Sequence, residues 1–241
     1  MYAVARQRTH TQHYSSVNTM QCVVEKTIFS CTSEDDVEGL KSLLESKRED
    51  NEPSRNILWE KDEVGRSALF TACMLGRSSI LRELVKNGAD VNELTARGYS
   101  PLHCSAMWGQ LDTLKALVEL SADLQATNFQ GEKAVDVARR YDKLDCVEYL
   151  ALAEAKQNLQ LLIIKVRETI SDPEKVQGKL NKEDKNICVN TCSTKSDWIQ
   201  NAKNATIQDF IEQKNHLESI VEPILLKLNT KSETPTKTRR H

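Results

Sequence analysis

A period of 33 residues runs through the middle of this 241-residue chain. Gly65, Gly98 and Gly131 mark it, and the same step relates Gly76 to Gly109, Ala89 to Ala122 and Asp90 to Asp123. Several independent matches at one spacing mean a unit copied along the chain. A unit this short cannot bury an apolar face by itself, so successive copies must stack and share one continuous core. Glycine at the repeating turn permits positive φ there.

Residues 98–126 read G-Y-S-P-L-H-C-S-A-M-W-G-Q-L-D-T-L-K-A-L-V-E-L-S-A-D-L-Q-A, and the copy from Gly65 reads G-R-S-A-L-F-T-A-C-M-L-G and closes on N-G-A-D-V-N. This order of turn, T-P-L-H-like stretch and two short helices resembles the ankyrin repeat. Two weaker copies flank the pair. Residues 131–150 keep the glycine but replace the T-P-L-H stretch with Lys133-Ala134-Val135-Asp136, and the second turn glycine becomes Asp142. Upstream, residues 28–44 align with 69–85, matching Phe29 to Phe70 and Leu43 to Leu84; the surplus falls in the polar, Pro53-containing stretch 46–56, an expected exposed insertion. Four repeats, two of them caps, exceed the minimum of about three for a stable stack. Pro101 suits a first helical turn because its missing N–H would be unpaired there. The resemblance places Ser67 and Ser100 where the family's threonine hydroxyl bonds a histidine. His103 keeps that partner and Phe70 does not, which implies a weakened polar link at the earlier repeat.

After Leu150 the period stops and helical spacing takes over. Leu152, Ala155, Leu159, Leu162, Val166 and Ile170 form one apolar stripe that ends at Asp172-Pro173. Asn181 with Asp184, and Thr206 with Asp209, mark two further helix starts. The second helix carries Ile187, Cys188, Thr191, Cys192 and Trp198 on one face, and the third a stripe including Ile207, Phe210, Ile211, Leu217 and Val221. Three such helices on short links are expected to close as a bundle. The words A-K-Q-N-L-Q from Ala155, G-K-L-N-K-E-D-K-N from Gly178 and I-Q-D-F-I-E-Q-K-N-H-L-E-S-I-V-E-P-I-L-L-K-L from Ile207 resemble the C-terminal helical lid of seventy-kilodalton heat-shock chaperones. That family's nucleotide-binding domain and β-sandwich are missing from the sequence, so its ATPase and peptide cleft do not carry over. The expected fold is all-α: an ankyrin solenoid of about four repeats over 27–151 and a three-helix bundle over 152–229. A flexible segment over 1–26 and a basic disordered tail over 230–241 flank them.

Composition narrows the function. Lys+Arg number 33 against Asp+Glu 35, which is not the basic excess of a nucleic-acid binder. The repeat block is acidic, with 22 acidic and 15 basic residues, and the final twelve residues are basic, with four against one. Apolar runs fall short of the roughly 18 residues of a membrane span. The N-terminus lacks the apolar core of a signal peptide, so we expect a soluble, non-secreted chain. Arg6 and Arg8 give residues 1–24 a faint likeness to a mitochondrial presequence, but an unstructured tail is the reading we adopt. Seven cysteines without framework spacing read as reduced thiols. Cys73, Cys104 and Cys146 fit repeat cores, and Cys188 with Cys192 share a helical face without the further ligands zinc would need. No phosphate loop or catalytic constellation is present, so we expect neither enzyme activity, nor cofactor, nor metal.

What remains is a binding scaffold. Tyr99, Trp108, Phe129 and Tyr141, four of only twelve aromatics, occupy ankyrin positions facing the concave groove or hairpin tips. Arg66, Arg97, Arg140, Met74, Leu75 and Met107 stand at equivalent positions, which gives the groove the aromatic, Met and Arg composition of protein interfaces. Trp108 and Tyr141 serve equally well as packing onto neighbouring hairpins; Arg97 and Tyr99 have no such role in the sequence and are the preferred contacts. The expected function is a non-enzymatic adaptor, with regulation of a heat-shock chaperone through the lid-like bundle as the alternative. The pairing of ankyrin repeats with a lone lid resembles a vertebrate family associated with cilia and the division apparatus. It implies a cytoplasmic and cytoskeletal setting, an axoneme or midbody, with axonemal or microtubule-associated partners.

Overall fold

The computed structural model describes residues 26–49 and 55–229, where every regular element is a helix. The N-terminal segment before Lys26, the basic tail and positions 50–54 of the insertion lie outside the described residues. Helix α1 (Ile28–Glu34) pairs with α2 (Val37–Glu49), and the short α3 (Arg55–Leu58) follows. The second pair is α4 (Ala68–Leu75) with α5 (Ser78–Lys86), and the third is α6 (Pro101–Trp108) with α7 (Leu111–Glu119). Helix α8 (Ala134–Arg140) pairs with the start of α9 (Leu144–Ser171), and α10 (Pro173–Val176), α11 (Lys182–Asn201) and α12 (Ile207–Asn229) complete the chain described. First helices stack as α1, α4, α6, α8 and second helices as α2, α5, α7, α9, so the four pairs form one two-layered solenoid.

Local chemistry starts and stops these helices. The Ser100 hydroxyl accepts the His103 backbone N–H at 3.3 Å, and His103 Nδ1 accepts the Ser100 N–H at 3.2 Å, a reciprocal cap completed by Pro101 in the first turn. Ser67 supplies only the first half of that cap to α4, accepting the Phe70 N–H. Gly76 and Gly109 end α4 and α6 in the left-handed region, and Asp35 and Asp142 take that conformation in the outer pairs, with φ of 60° and 54°.

Between pairs the chain makes the same tight turn three times. Asp62 N–H donates to Arg66 C=O, Thr95 to Tyr99 and Asn128 to Glu132, at 2.9–3.0 Å. Gly98 sits in the middle turn at φ +71°, where a Cβ would lie 3.3 Å from Asn128 Cα, so both backbone angle and neighbour require glycine. These turns project beside the first helices and form the wall of the concave face.

The second helices supply most of the solenoid's aliphatic core. Leu40, Ile80, Leu81, Leu84, Leu114 and Leu117 are no more than 1 % exposed, and burial of each such side chain contributes about 1.5–3 kcal/mol. Cys73 and Cys146 join that core, as their repeat positions predict. Helix α2 extends through 46–49 into the insertion, and just past the insertion Ile57 and Leu58 of α3 are buried.

The sequence period ends near Leu150, yet the helix does not: α9 runs 28 residues from Leu144 to Ser171. Its first turns bury Cys146 and Leu150 in the solenoid, and its later turns bury Leu159, Ile163 and Val166 in a second core. Helices α11 and α12 close on that later half. Asn181 and Thr206 cap them as expected, accepting the N–H groups of Asp184 and Asp209. Trp198 meets Phe210 edge-on with centroids 5.1 Å apart, and Lys227 holds Asp184 at 2.8 Å across the bundle. Two stripe assignments differ. Ile187 and Ile211 are 40 % and 41 % exposed, because each lies one residue, about 100° of helix, from the buried Cys188 and Phe210. Lys195 continues the buried line instead, donating to Gln213 Oε1 at 2.6 Å.

Candidate protein-binding site

Six of the nine predicted contact residues line one cleft of about 570 Å³ on the concave face between the second and third repeats. Phe70, Met74, Cys104 and Met107, from α4 and α6, give it an apolar lining; Arg66, Arg97, Tyr99 and Trp108 complete the predicted set around it. Arg66 is held by Asp62 at 2.8 Å, and its Nη1 lies 3.4 Å from Met74 Sδ. Trp108 is 53 % exposed and carries no ring contact with another aromatic among the described residues.

Phe129, Arg140 and Tyr141 lie beyond the cleft but are linked to it. The Phe129 ring stands 6.2 Å from Tyr99, and the Arg97 guanidinium lies 5.9 Å above Phe129. Arg140 donates to the Tyr99 hydroxyl at 3.4 Å, pairs with Glu132 at 3.2 Å and lies over Tyr141 at 5.3 Å. The nine residues thus form a continuous strip along three repeats. Tyr99 differs from its sequence reading: it packs edge-on against His103 at 5.8 Å as well as meeting Phe129 and Arg140, so it braces the groove. Leu75 sits 38 % exposed at the end of α4.

Sequence reasoning missed Val64 and Leu94, which line the cleft at 75 % and 61 % exposure. A signal was there: the period aligns Val64 with Arg97 and Gln130, and Leu94 with Lys61 and Thr127, so both are apolar where their equivalents are polar. The polar link judged weak at Phe70 is replaced rather than lost. The Ser67 hydroxyl donates to the Glu93 carboxylate at the next turn, with Lys61 3.5 Å from that carboxylate. One repeat later the Ser100 hydroxyl lies 2.8 Å from His103 Nδ1, the pairing the resemblance implies, and His103 Nε2 carries the link onward by donating to the Glu132 carbonyl at 3.0 Å.

Little here supports bond-making chemistry. Burial pushes the Cys104 thiol up to about 12 and raises Cys73 well above its ordinary value, which disfavours thiolates at both. Burial likewise raises Cys188 and Cys192. No group of three or more His, Cys, Asp or Glu side chains is arranged to hold a metal among the described residues. No helix among them is long and apolar enough to cross a membrane.

Stacked helix pairs with tight turns along an apolar, Arg-rimmed concave face define an ankyrin-repeat protein, a class whose repeats bind other proteins and are typically non-enzymatic. The family model of ankyrin repeats, in three copies, matches residues 27–128. The chain is 70 % identical over 224 residues to ankyrin repeat domain-containing protein 45 of Danio rerio, covering 92 % of this chain and all of that one. The proteins of that name from Mus musculus and Homo sapiens are 51 % and 46 % identical, over 86 % and 81 % of this chain and 84 % and 74 % of theirs. The chain belongs to the ankyrin repeat domain-containing protein 45 family.

Proposed function

We propose that this chain is a non-enzymatic adaptor: the concave cleft grips one protein, and the C-terminal bundle braces the array or docks a second. One observation carries the reading. The apolar cleft residues predicted from interface composition converge on a single concavity, with Trp108, Leu94 and Val64 exposed around it. Exposed large apolar groups gathered in one place mark interaction sites, whereas scattered ones do not. The setting we propose is the cytoplasm and cytoskeleton, in an axoneme or midbody assembly with axonemal or microtubule-associated partners. Its support is the resemblance of the ankyrin-plus-lid pairing to a family associated with those structures.

Proximity labelling in ciliated and dividing cells tests both parts. The chain should label a restricted set of cytoskeletal proteins, and the doubly substituted Leu94→Asp, Trp108→Ala chain should lose most of that set while its circular dichroism stays unchanged. Equal labelling by the two chains would remove the cleft from the proposal.

A second reading, regulation of a heat-shock chaperone, draws on the lid-like words in α9, α11 and α12 and on the separate core those helices build. Full-length chain added at saturation should then change the chaperone's ATPase rate or peptide release. No effect on either would eliminate it.

A further inference from the structure

We propose that the occupant of the cleft is an acidic peptide segment that seats one aromatic or long aliphatic side chain between Met74 and Met107. This rests on the adaptor reading and names the chemistry of its partner.

Charge placement carries the inference. The repeat block as a whole is acidic, with 22 Asp and Glu against 15 Lys and Arg. The cleft runs against that trend: Lys61, Arg66 and Arg97 line it, and among the described residues no carboxylate does. Two of the three cations are compensated from outside the lining, Arg66 by Asp62 at 2.8 Å and Lys61 by Glu93 at 3.5 Å. Arg97 is not. It makes no ion pair among the described residues; its guanidinium lies over the exposed Phe129 ring, which leaves its N–H edge available to a carboxylate. The cleft therefore presents net positive charge beside an apolar floor.

The floor fixes the second half of the partner. Its volume of about 570 Å³ falls in the range of ligand pockets, roughly 300–1,000 Å³. Methionine lines it from both helices, and its flexible thioether adapts to an inserted ring or aliphatic chain. A carboxylate beside such an anchor meets Arg97, whereas a lysine or arginine there meets like charge at a cost that selects against it.

The test pans a random-peptide library displayed on phage against the full chain, then measures synthetic versions of the enriched peptides by fluorescence anisotropy at low and high salt. Enriched sequences should place acidic residues next to one large apolar residue. Trp108→Ala with Leu94→Asp should abolish their binding. Arg97→Glu should weaken it by about tenfold or more, with most of the difference screened at high salt. Peptides that need Trp108 and Leu94 yet lack acidic bias, or that bind Arg97→Glu equally well, would overturn the acidic partner and leave the adaptor reading standing. Peptides indifferent to Trp108 and Leu94 would sink both. Concentration-dependent self-association of the wild-type chain lost in the Trp108 variant would make the occupant a second copy, and the acidic peptide would fall.

Discussion

His103 is neutral because of where its two nitrogens point. Nε2 faces the Glu132 carbonyl, which only accepts, so the proton sits there and Nδ1 accepts from Ser100. Burial is the leading cause that lowers its pKa below the ordinary 6.5. The unfolded chain then binds the extra proton at a higher pH than the folded one. The contribution of His103 to stability is complete above pH 6.5 and is lost as pH falls below it. Urea midpoints measured from neutral to mildly acidic pH should drop, and His103→Gln, which keeps hydrogen-bonding groups but does not titrate, should flatten that drop. Thr113 poses the opposite problem. Its hydroxyl is buried and has no partner among the described residues, so it carries a desolvation cost without a bond in return. Thr113→Val should raise unfolding free energy by about 1 kcal/mol in the same titrations.

At the scale of the element, the turn that ends each first helix decides how cleanly the pair forms. Glycine holds the left-handed position in the two central repeats, and Asp142 holds it between α8 and α9 at φ 54°. A side chain there strains the backbone, although aspartate tolerates it better than most residues. Asp142→Gly should therefore raise the thermal midpoint, equivalent to about 0.5–1 kcal/mol, whereas Gly109→Asp should lower it by a similar amount or more, because a Cβ there meets the Lys143 side chain at 2.8 Å. The four helix pairs were legible in the sequence because one period fixes turn, cap and core together, and the six predicted residues in the cleft inherit their place from it. Leu94 and Val64 escaped because they depart from the period. The Ser67 to Glu93 bond escaped because it joins side chains 26 residues apart that no motif relates. The continuity of α9 escaped because the end of a repeat pattern looks like the end of an element. The absence of Gly and Pro between Leu144 and Ser171 was the available signal.

Across the whole molecule, α9 is the member shared by two cores. Its first turns belong to the solenoid and its last to the bundle, and Glu154 at the junction is fastened to the fourth repeat by Lys133 at 2.7 Å and to the end of the third by Gln125 at 3.0 Å. A continuous helix transmits order because each turn is stabilised by its neighbour, so melting the bundle frays the last repeat and the reverse. Lys156 lies just past that fastening, exposed and away from both cores. Lys156→Pro removes the hydrogen bond to Leu152 and crowds its carbonyl, a break worth about 3 kcal/mol that leaves every core side chain in place. Wild-type chain should unfold in one calorimetric transition, and the proline variant in two, the solenoid and the bundle melting separately. Lys156→Ala should keep the single transition. If the proline chain still melts once, merely at lower temperature, coupling runs through the contacts of α7 and the surrounding turns with α9, and the shared helix is not what joins the two halves.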